Sequence, residues 1–241
     1  MHRLKFLSFL LALLFMLSLC LSACNNPEEK APVPPKMEDL DFSDVSLDEM
    51  EASDQITEYV KFEIKDYGTV IIRLFSKVAP ITVANFQQLV SDGFYDGLIF
   101  HRVIEGFMIQ GGDPLGNGTG GADEDIKGEF ALNNFENNLE HISGVISMAR
   151  GGHPYEAYLP YYTYEEMGLS FEDFEPFYNS ASSQFYIVHQ TSPHLNGNYA
   201  GFGYVVYGMD VVDAIAEVET NSSDKPLTDV VIENATFMKK K

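Results

Sequence analysis

Short apolar runs separated by turn residues recur along residues 57–240, and that rhythm restricts the domain to a mainly β architecture. Residues 59–65 alternate mostly apolar with charged side chains. Residues 69–75 are β-branched and apolar, and Asp66, Tyr67 and Gly68 between them read as the turn of a hairpin. Further runs fall at 98–103, 107–110, 145–149, 185–189 and 204–207, with a last strand at about 230–238. Helical spacing interrupts twice. Pro80 opens a helix that carries Val83, Phe86, Gln87 and Val90 and ends at Gly93. A second helix, 210–217, presents Val211, Val212, Ile215 and Ala216. Roughly eight strands and two helices predict a closed eight-stranded antiparallel β-barrel capped by the two helices.

The first residues have the pattern of a targeting segment. His2, Arg3 and Lys5 precede an apolar run over 6–21, broken by Ser8 and Ser18, and Leu21-Ser22-Ala23-Cys24 follows. A basic start, an apolar middle and small residues before a cleavage point describe a secretory signal, here 1–23. The ending resembles a bacterial lipobox, which implies lipid on Cys24 and a protein anchored at the cell membrane, facing away from the cytoplasm. An uncleaved membrane anchor is the alternative, because the run approaches the ~18 apolar residues of a span. Cys20 and Cys24 are the two cysteines, so the domain has no thiol for a disulfide, a metal or a nucleophile.

Residues 24–56 read as an acidic, Pro-containing linker. Pro27, Pro32, Pro34 and Pro35 mix with Asp39, Asp41, Asp44, Asp48, Glu49, Glu51 and Asp54, a composition poor in buriable surface. A short helix around 47–52 is weakly signalled. The formal net charge of −21 repels phosphate backbones, so nucleic acid is excluded as a partner.

The stretch 100–113 carries the candidate chemistry. Arg102 and Gln110 frame the apolar pair Phe107 and Met108. Strands rarely hold Arg or Gln unless each is paired. One fixed cation, one amide and an apolar floor match an apolar ring on a tertiary amide, which is proline. A strand whose Arg makes an ordinary salt bridge accounts equally well for the local pattern.

The wider chain resembles the cyclophilin family of peptidyl-prolyl isomerases. The resemblance rests on Val83-Ala84-Asn85-Phe86, the run 100–113, Gly116-Asn117-Gly118-Thr119-Gly120-Gly121, the runs 144–150 and 183–187, and 195–203. It covers nearly all of 57–241, the expected isomerase domain. It implies Arg102 and Gln110 as catalytic residues. It further implies substrate contacts from Phe107, Met108, Ala149, Gln184, Tyr186, Leu195 and Tyr199. Proline-containing segments of exported proteins would be the partners and a monomer the acting form, with no cofactor and no metal. A non-enzymatic proline-binding module or chaperone is the competing reading. Tyr186, His194, Tyr199 and Arg150 stand where many members have Phe, Trp, His and Asn.

Other signals carry less. Gly116-x-Gly118-x-x-Gly121 spells a dinucleotide fingerprint, but no helical period follows it. His101, His141, His153, His189 and His194 lack metal-ligand spacing. The segment at about 152–181 is long for the family at this place and rich in Tyr and Phe. It reads as a loop packed on its own barrel with buried aromatics, or as an extra wall near the groove.

Overall fold

A computed structural model describes residues 33–241. The signal 1–23, Cys24 and the first part of the expected linker lie outside the described residues. The strands are β1 Met50–Ala52, β2 Tyr59–Ile64, β3 Gly68–Leu74, β4 Arg102–Ile104, β5 Met108–Gly111, β6 Val145–Met148, β7 Phe185–Val188, β8 Gly201–Tyr207 and β9 Ile232–Lys240. The helices are α1 Pro80–Ser91, α2 Phe171–Tyr178 and α3 Met209–Ala216.

The strands form a 9-stranded sheet in the order β1-β9-β2-β3-β8-β6-β7-β5-β4. Every neighbouring pair is antiparallel. The expected closed eight-stranded barrel with two helices is therefore incorrect. The sheet has one strand more, it does not close, and a third helix, α2, sits in the 152–181 segment. Two physical reasons account for the difference. The end strands β1 and β4 are three residues each, too short to span a ladder to one another. The outer side of β9 is taken by β1, with Met50 opposite Lys240 and Ala52 opposite Met238. The run before β4 meets the start of β9 through the isolated bridge Ile99–Val231 rather than a ladder.

The hairpin forms as expected, with Ile64 opposite Gly68. Its turn needs left-handed backbone at Asp66 (φ 64), which a short polar side chain tolerates, and φ 124 at Gly68. Alternation then sorts the side chains. Val60 and Phe62 of β2, Val70 and Ile72 of β3, and Ile146 and Ile187 of β6 and β7 enter one core. α1 covers it with Val83, Phe86 and Val90, and α3 with Val212 and Ile215. Phe86 is fully buried, with ring centroids 5.0 Å from Phe202 and 5.1 Å from Tyr95.

Pro80 occupies the first turn of α1, where its missing N–H costs nothing. Ala79 precedes it and offers no side-chain cap. Glu129, fully buried, takes the role instead. Its carboxylate accepts the N–H groups of Ile81 (3.0 Å) and Thr82 (2.8 Å), placing negative charge at the positive end of the helix.

Part of the expected linker belongs to the fold. Val45 and Met50 are buried, and Val45 N–H donates to the Val206 carbonyl at 2.9 Å. Phe42 packs edge-on against Phe75 (5.6 Å) and Tyr204 (4.9 Å). Arg73 pairs with Asp41 and with Glu58. The segment 47–52 is a single 3-10 turn, Leu47–Glu49, leading into β1. The acids dominate its composition, yet its few apolar residues find a ready sheet edge and so need no core of their own. Among the described residues no helix is long and apolar enough to cross a membrane.

Placing charges under this strap should release it. The double substitution Val45→Asp with Met50→Asp is expected to lower unfolding free energy by about 3–6 kcal/mol, the worth of two buried apolar side chains. Urea denaturation measures the loss, and limited proteolysis should show faster cleavage within 37–56.

Candidate active site

The same alternation that fills the core builds a second surface on the other face of β4–β7. Register places Arg102 opposite Gln110, Gln110 opposite Tyr186, and Tyr186 opposite Ser147. Their neighbours Val103, Ile109, Ile187 and Ile146 point into the core. A single row of polar or amphipathic side chains therefore crosses β4, β5, β7 and β6. Met108, Val188 and Leu195 add an apolar cluster on this face, with Phe107, Ala149 and Tyr199 packed against it.

An open cavity of about 350 Å³ lies over the row. Arg102 and Gln110 line it, with Phe107, Met108, Ala149 and Tyr186 as floor and Leu195 and Tyr199 as wall. Gln184 lines an adjoining cavity of about 310 Å³, which shares Gln110 and Ala149. All the sequence-predicted groove residues thus converge, although they come from separate strands and loops. Leu195 is brought in by the 3-10 turn Pro193–Leu195 and Tyr199 by the loop after it. Cys24, the expected lipidation site, lies outside the described residues.

Arg102 is part-exposed, and its Nε sits 3.4 Å from Asp224 Oδ2. The salt-bridge reading and the groove reading both hold for this side chain. The ion pair engages Nε, and among the described residues the terminal nitrogens have no hydrogen-bond partner. Asp224 itself is fixed in left-handed backbone (φ 61), and its carbonyl accepts Val103 N–H at 2.8 Å. Gln110 Nε2 donates to Gln184 Oε1 at 2.9 Å, and Gln184 Nε2 donates to the Gly120 carbonyl at 2.7 Å. This chain leaves Gln110 Oε1 available as an acceptor.

The glycine-rich loop is folded around Asp113 rather than around a phosphate. Asp113 is buried, and its carboxylate accepts N–H bonds from Leu115 (2.8 Å), Asn117 (3.0 Å) and Gly118 (2.6 Å). Burial pushes its pKa up, but these backbone donors outweigh it and hold the group below the ordinary carboxylate value.

Behind the cavity, His141 is buried and stacked on Tyr186, with centroids 6.1 Å apart. Its Nδ1 lies 3.1 Å from Asn196 Oδ1 and its Nε2 lies 3.0 Å from Ser147 Oγ. A neutral ring that donates from Nδ1 and accepts at Nε2 satisfies both contacts. Burial lowers its pKa to about 4, against a smaller upward pull from Asn196. Burial also raises the Tyr186 phenol far above its ordinary range.

Sequence reasoning missed three contributors. His101 lines the cavity and is buried, with neither ring nitrogen hydrogen-bonded among the described residues. It falls inside the 100–113 run, so its place could have been suspected. Asp224 lies in a turn with no sequence signal. Arg150 stands out in the sequence only as a replacement, and two of its contacts, Asn198 and Tyr199, lie far along the chain. Its guanidinium pairs with Glu156, donates to the Asn198 carbonyl, and rests 4.7 Å from the Tyr199 ring centroid.

The arrangement provides a cation, an amide acceptor and an apolar cleft, suited to holding a peptide and favouring one geometry of it. Such a groove on an antiparallel sheet suits an extended peptide segment. The chain matches the family "Cyclophilin type peptidyl-prolyl cis-trans isomerase/CLD" over residues 59–164 and 166–237. It is 35% identical over 171 residues to peptidyl-prolyl cis-trans isomerase CYP18-1 of Arabidopsis thaliana, covering 70% of this chain and 90% of that protein. It is 39% identical over 149 residues to peptidyl-prolyl cis-trans isomerase B of Bacillus subtilis, covering 62% and 84%. A crystal structure of a cyclophilin type isomerase from Cryptosporidium parvum superposes with a TM-score of 0.60 at 28% identity, covering 74% and 96%. The chain belongs to the cyclophilin-type peptidyl-prolyl cis-trans isomerases.

The lowered His141 pKa sets a pH dependence. The unfolded ring takes up a proton near its ordinary value of 6.5, while the folded ring resists until about 4. Stability from this group is therefore full above about pH 6.5 and is lost as pH falls towards 4. Urea denaturation at pH 7.5 and 4.5 should show a smaller difference for His141→Gln than for the parent. An equal difference would remove His141 as its source.

Proposed function

We propose that the protein rotates X-Pro bonds in exported polypeptides, using Arg102 as the electrostatic catalyst and a lipid on Cys24 as its tether outside the cytoplasm. The observation that carries the catalytic part is the Arg102 guanidinium beside a cleft floored by Phe107 and Met108. The N-terminal pattern ending in Leu21-Ser22-Ala23-Cys24 supports the tether.

The chemistry follows from the amide. Its partial double-bond character sets a rotation barrier of ~18–20 kcal/mol. Uncatalysed X-Pro exchange takes roughly tens to hundreds of seconds. At the twisted geometry the resonance is lost and the proline nitrogen gains a basic lone pair. A guanidinium donating to that nitrogen binds the twisted form better than either planar isomer, which is differential stabilisation of the transition state. Asp224 engages Nε and leaves the terminal nitrogens to face the substrate. The proline ring occupies the cavity over Met108, Tyr186 and Leu195. Gln110 Oε1 accepts a substrate N–H and holds the flanking chain while the carbonyl before proline swings. Arg suits the task because it stays charged and presents its donors in a plane.

Arg102→Ala is expected to lower kcat/KM for a short X-Pro peptide by about 100- to 1000-fold, the usual effect of removing one aimed donor. Its melting temperature should stay near the parent's. NMR exchange spectroscopy on the peptide measures the rate, and equal rates for parent and variant would defeat the assignment. For the tether, Cys24→Ala in the intact producing cell should abolish incorporation of labelled palmitate and move the protein out of the membrane fraction. Unchanged labelling would sink that part alone.

A further inference from the structure

We propose that the 152–181 segment forms the far wall of a second substrate subsite, which takes a large apolar side chain next to the proline. This inference rests on the groove reading given under Proposed function.

The first observation is a cavity of about 720 Å³ beside the proline cavity. One side is Arg102, Phe107, Leu195 and Tyr199, which also line the proline cavity. The opposite side is Ala157, Leu159 and Pro160, all from the segment. The two spaces are therefore continuous around the same four side chains. A peptide seated with proline on Met108 leaves in two directions. One passes Gln110 and Gln184. The other enters this space after a single residue, a step of about 3.5 Å.

The second observation is that the wall is anchored. Arg150 is almost fully buried and pairs with Glu156. Its Nε (3.0 Å) and Nη2 (2.8 Å) donate to the Asn198 carbonyl, and Nη1 donates to the Gly151 carbonyl at 2.8 Å. The guanidinium lies over the rings of Tyr199 (4.7 Å), Phe130 (4.8 Å) and Tyr178 (5.1 Å). One side chain thus holds the wall (Glu156) and the shared partition (Tyr199) in register. Leu159 packs onto the buried cluster of Phe130, Phe174 and Tyr178. Gly151 N–H donates to Ser180 Oγ at 2.8 Å, closing the base of the segment.

The lining sets the chemistry. The charged or titratable groups on it are Glu156, paired with Arg150, Arg102, whose Nε is paired with Asp224, and His194, whose ring lies 5.6 Å from that of Phe107. Phe107, Leu132, Leu159, Pro160 and Leu195 offer carbon, and the space is roomier than the proline cavity. An aromatic or branched aliphatic side chain gains burial here, whereas a carboxylate would lose hydration, meet the like charge of Glu156, and compete for the Arg102 nitrogens that the proline engages.

The test uses two peptide series on the full chain in detergent. The residue before proline, or the residue after it, is varied among Ala, Leu, Phe and Asp. In the series that points away from Gln184, kcat/KM for Phe and Leu should exceed that for Ala by about fivefold or more, with Asp lowest. Ala157→Asp and Pro160→Asp, both at exposed positions, should reduce that preference to within about twofold. Their preference in the other series should not move. A parent with no flanking preference overturns the subsite, and so does a preference that survives both variants. No acceleration of any peptide by the parent would instead overturn the groove reading beneath it.

Discussion

The strict two-residue period of the antiparallel ladder governs this molecule. Each strand from β4 to β7 gives one set of side chains to the core and the other to the groove. Arg102, Gln110 and Tyr186 are aligned by backbone register, not by loops. A slip of one residue would send Val103 and Ile109 to solvent and bury the cation. The strand-borne part of the site is positioned by the same ladder that positions the core, so it is arranged before substrate arrives.

Local pattern revealed the parts that obey local rules. The hairpin of β2 and β3 could be read from alternation and Gly68, and α1 from Pro80 and its apolar spacing. The groove residues were legible because they sit in family-ordered motifs. What escaped was set by distance in the chain. β1 is three residues of acidic sequence whose structure exists only because the edge of β9 is beside it. With β1 on that edge, the predicted closure had nothing to close onto. Asp224 reaches Arg102 across 122 positions of sequence, which no spacing rule could register.

The aromatic segment divides its rings between burial and exposure. Phe174 and Tyr178 are buried in a small core of their own, while Tyr155, Tyr158, Tyr161 and Tyr162 remain exposed. α2 begins at Ser170, whose hydroxyl engages Asp173 in a local capping arrangement. Phe130 and Ala200 complete that small core from outside the segment, so the segment is held against the rest of the domain. Its buried pair, Arg150 with Glu156, gives fixed orientation more than net free energy, since desolvating two charges offsets much of their attraction.

β9 is flanked by β1 on one side and β2 on the other, so the earliest described strands wait for the last one. Residues 50 and 240 must meet before this edge is finished. On a ribosome β2 can pair at once with β3, but β1 has no partner until β9 has been made. Completing this edge must therefore wait for β9, through a long-range docking that is slow for reasons of chain entropy. A catalyst of slow bond rotation is thus itself built on a topology whose edge ripens late.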